Sequence, residues 1–180
     1  MPLIMDEQKE KQEGTFLRYD AENTLVFKSN LYKVTSHYIK SLNKFVACHK
    51  ADCVYCGKNY QKKVEYNYLV VLNGQEGVLD IKPSVFFAIN AIEKLSKKDK
   101  RQMSWLVLKS GSGLQTEYTA SKDETLSDTQ SEKDLAECNK KLEGLMSARE
   151  LKLEEEYETN KSVGSMEIKK SEEPPMPEEE

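Results

Sequence analysis

No stretch of this chain approaches the ~20 consecutive apolar residues that a membrane-spanning helix requires, so no such helix is expected. Histidine is scarce, with two in 180 residues, and neither begins a His-x-Glu pair. That weighs against a metal-dependent hydrolase or deaminase, which needs an open metal position beside a glutamate base. The Gly-rich turn Ser110-Gly111-Ser112-Gly113 precedes a strand pattern and lacks the Gly-Lys-Ser/Thr ending of a phosphate loop. No internal repeat is evident, which argues against a solenoid. Met1 to Met5 runs straight into Asp6-Glu7-Gln8-Lys9-Glu10-Lys11, unlike an apolar targeting segment. A soluble, cytoplasmic, non-enzymatic protein is the expectation.

Cysteine is also sparse, yet its placement is not random. Of four cysteines, three fall with one histidine inside twenty residues: His37, Cys48, Cys53 and Cys56. Zinc takes four N or S ligands in a tetrahedron, and a Cys-x-x-Cys turn supplies two adjacent corners. Here that turn is Cys53-Val54-Tyr55-Cys56, with Gly57 free to take a positive φ after it. Cys48 would be the third ligand and either His37 or His49 the fourth. Neighbouring side chains in extended backbone point to opposite faces, so His49, beside Cys48, is the less favoured of the two. Four protein ligands leave no position for water, so the site reads as structural Zn2+. A disulfide would instead suit a small secreted chain.

The net charge of -4 conceals an asymmetry: residues 1–122 carry +6 and residues 123–180 carry -10. Residues 1–13 are expected to form a flexible arm. Residues 15–19 and 24–28 read as short strands about a turn at 20–23, and residues 31–39 as a strand delivering His37. In 64–72, Tyr66, Tyr68, Val70 and Leu72 share one face. Asn73-Gly74 signals a hairpin, with the return strand expected from Gly77 and a loop longer than two residues. Ser84 is the expected N-cap of a helix over 85–98, with Val85, Ala88, Ile89, Ile92 and Leu95 as its apolar stripe. A last hairpin spans 105–119; residues 121–131 look like a linker, 132–157 like an amphipathic helix, either docked or solvated, and 158–180 like a disordered end.

These pieces predict a mainly β fold with α: an OB-like β-barrel over 14–120, a zinc knuckle inserted at about 37–60, one packed helix, and an acidic C-terminal tail over 121–180. Across 28–122 there are 16 Lys+Arg against 7 Asp+Glu, with aromatics interleaved. Cations that follow phosphates and rings that stack on bases are what single-stranded nucleic acid asks for. The candidate contacts are Tyr32, Lys33, Tyr38, Lys40, Lys44, Phe45, Lys58, Tyr60, Lys62, Lys63, Tyr66, Tyr68, Trp105 and Lys109. Any strand aromatic among them is more often core than platform.

The His37-x10-Cys48-x4-Cys53-x2-Cys56 spacing, the strand ending at Asn73-Gly74, the helix from Ser84, and the run from Trp105 through Gly-Ser-Gly-Leu-Gln-Thr-Glu to Tyr118 together resemble a known family. It is that of the zinc-containing single-stranded DNA-binding proteins of tailed phages, the T-even helix-destabilising proteins among them. The resemblance covers about residues 14–120. It implies an oligonucleotide-binding barrel with a zinc subdomain, binding of single-stranded DNA or RNA in replication, recombination or repair, partners recruited by the C-terminal tail, and, for a viral chain, residence in the host cytoplasm. In one respect the chain departs from that pattern: residues 6–13 hold Asp6, Glu7, Glu10 and Glu13 against Lys9 and Lys11, where the T-even arm is basic.

The acidic tail can also compete for a basic groove until DNA displaces it. The rival expectation is a zinc-stabilised protein-interaction adaptor whose segment 132–158 pairs with another helix.

Overall fold

The computed structural model describes residues 16–127 and 130–166. Seven strands form one antiparallel sheet: β1 (Glu22–Phe27), β2 (Tyr32–Ile39), β3 (Lys44–Ala47), β4 (Gln61–Leu72), β5 (Gln75–Ile81), β6 (Met103–Ser110) and β7 (Glu117–Thr125). Helix α1 (Pro83–Ser96) lies between β5 and β6 in the chain, and α2 (Glu132–Met166) follows β7. The sheet order is β3-β2-β4-β1-β6-β7, with β5 on the other edge of β4. Phe16 adds an isolated parallel bridge to Val78. No closure into a barrel is seen among the described residues.

β4 is the spine. β1 and β2 pair with the same edge of it in succession, Phe27 opposite Val70 and Tyr32 opposite Asn67. The four residues between them bulge against two of β4. Ser29, 1% exposed, repairs the ladder there, its hydroxyl accepting the Leu69 N–H at 2.8 Å. Ser29→Ala would strand that donor in the interior. A loss of about 1–3 kcal/mol in urea denaturation is expected.

Alternation in β4 is as anticipated. Tyr68, Val70 and Leu72 join Leu25, Phe27, Leu79, Ile81, Val107 and Trp105 in the main core, which α1 closes with Val85 and Ile89. Several boundaries differ from expectation. Thr15 lies outside the described residues, and 16–19 form no strand with 24–28; Asn23 instead sits within β1, accepting the Asp20 N–H and donating to the Val107 carbonyl. The β4–β5 loop is the two-residue Asn73-Gly74 turn itself, φ 50° and 81°, because the exposed polar pair Gln75 and Glu76 already belongs to the return strand. The N-cap position of helix α1 is Lys82 rather than Ser84, with no side-chain cap, since Pro83 fits the first helical position, and the helix ends where Lys97 turns left-handed at φ 54°. Leu95 is 84% exposed, and Phe86 packs in its stead.

The largest departures are C-terminal. β7 continues to Thr125, so the sheet overruns the boundary at 120 and shortens the linker. The predicted helix 132–157 reaches Met166 and is docked: Leu142 and Met146 are buried against Val34, Leu69 and Val78, and Tyr157 against Ile39, Val46 and Tyr55. Residues 158–166 are thus helical and not a disordered end. The arm 1–13 and the segment 167–180 lie outside the described residues. No described helix is long and apolar enough to cross a membrane.

Candidate metal centre and surrounding surface

Strand β2 carries His37 opposite Val46 of β3 and Lys62 of β4, which aims its ring into the loop between β3 and β4. Cys48 follows β3 directly, and Cys53 and Cys56 come after the 3₁₀ turn Lys50–Asp52. Gly57 takes φ 73°, as its position after the Cys-x-x-Cys turn requires.

One ligand atom from each of His37, Cys48, Cys53 and Cys56 lies within 4.8 Å of the others. Cys48 Sγ is 3.5 Å from Cys56 Sγ, and Cys56 Sγ is 3.4 Å from His37 Nε2. Thiolates about 2.3 Å from zinc in a tetrahedron stand roughly 3.8 Å apart, so these edges fit such an ion after a small expansion. His49 is committed elsewhere. Its Nε2 is 2.6 Å from Glu154 and its ring lies 3.7 Å from that of Tyr157, centroid to centroid.

The protonation chemistry agrees with a cation at this point. Burial, reinforced by Lys62, holds His37 below its usual range and so favours the neutral imidazole that a metal needs. Burial and then the neighbouring Cys48 and Cys53 thiols push Cys56 up to about 11. Burial also opposes the Cys53 thiolate, but donors from the His49, Tyr55 and Cys56 backbone outweigh it and bring that thiol down. Three thiols this close resist full ionisation by themselves. A divalent cation would supply the missing charge.

The proposed nucleic-acid contacts separate into groups. Tyr68 and Trp105 are 3% and 0% exposed, and rings so enclosed offer no face to a base; Trp105 Nε1 donates inward to the Lys100 carbonyl. Tyr32 is half-buried at the edge of the α2 seat, where burial and then a hydrogen bond with Glu150 raise its pKa. Lys44 is ion-paired with Glu156 at 3.0 Å. Lys109 is half-buried on β6 beside Tyr118 of β7, away from the knuckle strands.

The remainder gathers near the β2–β3 hairpin. Tyr38 and Phe45 are cross-strand partners with rings 5.0 Å apart, Phe45 is 41% exposed, and Lys63 Nζ sits 5.3 Å above the Phe45 ring. Tyr38, Lys40, Ser41, Asn59, Tyr60 and Gln61 line an adjoining open cavity of about 750 Å³. Lys62 is exposed on β4 but pairs with His37, on the face of the sheet opposite to Tyr38 and Phe45, while Lys58 is half-buried. Lys33 pairs in register with Tyr66, whose ring stacks on Phe86 at 4.1 Å and 13°. Phe87, 61% exposed, extends that cluster. Sequence reasoning passed over Phe86 and Phe87 because both fall off the apolar stripe of α1.

Comparisons with protein families, curated proteins and solved structures found no match for this chain. What stands is a mainly antiparallel sheet protein whose His37, Cys48, Cys53 and Cys56 can together bind a metal ion.

Proposed function

We propose that this is a zinc-bearing, sequence-tolerant single-stranded DNA-binding protein of the oligonucleotide-binding barrel type, serving replication, recombination or repair. The observation that carries the reading is the Tyr38–Phe45 ring pair, left partly open to solvent with Lys63 above it and Lys40 beside it. Stacking rings with cations beside them hold unpaired bases and their phosphates without regard to sequence. The connectivity supports the barrel reading: β1 and β2 act as one bent strand along β4, and α1 lies between β5 and β6. Zinc fits the Cys3His donor set and the spacing of its atoms. In this proposal the acidic segment after α2 recruits basic partners.

A second reading rests on α2. It covers part of the sheet through Leu142, Met146 and an Arg149–Glu65 ion pair of 2.6 Å, as befits an adaptor that carries its own helical partner.

Titration of a dT oligonucleotide at several salt concentrations separates the two. Single-strand binding is expected to weaken with a log–log slope of about -0.7 per phosphate contact, so roughly -2 if Lys40, Lys58 and Lys63 each meet one. Tyrosine emission is the expected reporter, since Trp105 is enclosed. No binding at low salt would favour the adaptor.

A further inference from the structure

The loop that bears the ligands is fastened by α2. Tyr157, 4% exposed, accepts the Val54 N–H at 3.1 Å and donates to the Asp52 carbonyl at 3.4 Å. Those two backbone groups flank Cys53 on either side. One phenol therefore fixes both peptides that orient a ligand thiol. Tyr55, fully buried next to Cys56, donates to the Asn160 carbonyl at 2.6 Å. The third attachment is at His49, beside Cys48, which stacks on Tyr157 and pairs with Glu154. Each of the three cysteines thus has a sequence neighbour anchored to the stretch of α2 between Glu154 and Asn160.

We infer that Tyr157 is a positioning residue of the metal centre, and that metal binding and docking of the C-terminal third of α2 are thermodynamically linked. The inference rests on the metal reading above and adds a partner to it. Groups that hold metal ligands in place typically contribute 10–100-fold to affinity. Linkage is reciprocal, so a helix that tightens the site must itself be tightened when the site fills.

The test uses the full chain. Zinc affinity is measured by competition with a chromophoric chelator for the unaltered protein and for Tyr157→Phe, which keeps the ring and removes both hydrogen bonds. Tyr55→Phe serves if that variant does not fold. About a 10–100-fold weakening is expected for Tyr157→Phe, with altered ligand-field bands in the cobalt(II)-loaded variant. Ser29→Ala, destabilising but remote from the loop, controls for general loss of stability and should bind zinc normally. In the unaltered protein, chelation should release amide-exchange protection over 150–163 while β1 and β6 stay protected. Unchanged zinc affinity in Tyr157→Phe, weakening matched by Ser29→Ala, or exchange in α2 indifferent to chelation would each overturn the linkage. Failure of the unaltered protein to bind one equivalent of zinc would overturn the metal reading instead.

Discussion

Serine in place of Cys53 is expected to abolish stable metal binding and to unfold the knuckle, residues 40–60, while the main core survives. Apart from its attachments to α2 at Glu154, Tyr157 and Asn160, the knuckle has little else to hold it. Among the described residues its core contains only Ile39, Val46, Ala47, Tyr55 and Tyr157 as buried residues. Structural zinc in small peptides contributes an apparent 10–16 kcal/mol, on the order of the total stability of a domain. Trp105 belongs to the other core, with Leu25, Phe27 and Met103, so its emission should remain native as tyrosine signals from the knuckle change. Near-UV spectra and amide exchange on Cys53→Ser, with zinc stoichiometry, check this. Intact protection across 44–56 without metal would contradict it.

Removing the exposed rings should have the largest effect on nucleic acid. Tyr38→Ala and Phe45→Ala are each expected to cost about 1–3 kcal/mol in single-strand affinity, the usual worth of one stacked base. Salt slopes should stay nearly constant, since no cation is lost. Both side chains lie at the outer end of the β2–β3 hairpin, Tyr38 bonded through its hydroxyl to Asn43, so melting should barely shift. Anisotropy of a labelled dT oligomer is the measurement. Tyr68→Ala would lower stability as well, because Tyr68 packs edge-on against Phe27 at 4.8 Å. An affinity loss from it says nothing about contact. Equal binding by Phe45→Ala and the unaltered protein would remove the hairpin from the proposed path.

The metal cluster was legible in the sequence because few arrangements of Cys and His are useful at such spacing, and His37, Cys48, Cys53 and Cys56 do converge. The face of β4 was legible for a similar reason: a period of two in Tyr66, Tyr68, Val70 and Leu72 has one physical meaning. Which tyrosines would be enclosed was not, since Tyr38 and Tyr68 read alike until the partner strands are known. Residues 121–125 and 158–166 were misjudged because composition stood in for context. Ser121 to Thr125 pairs with β6 even though every side chain of it is exposed. The acidic stretch of α2 hid its anchor, one tyrosine among carboxylates. Nothing local distinguishes Tyr157 from a solvated residue, as its partners at Asp52 and Val54 lie 105 and 103 positions upstream.

The seam between β1 and β6 bears on how the chain assembles. Asn23 reaches the Val107 carbonyl across 84 residues, and β1 cannot acquire its second neighbour before β6 exists. Closing so long a loop is entropically costly and slows folding. The ligand loop spans only residues 37–56. During synthesis all four ligands are therefore made before β6, so a metal would gather the small lobe early, while its anchor at Tyr157 arrives only after the sheet's last strand.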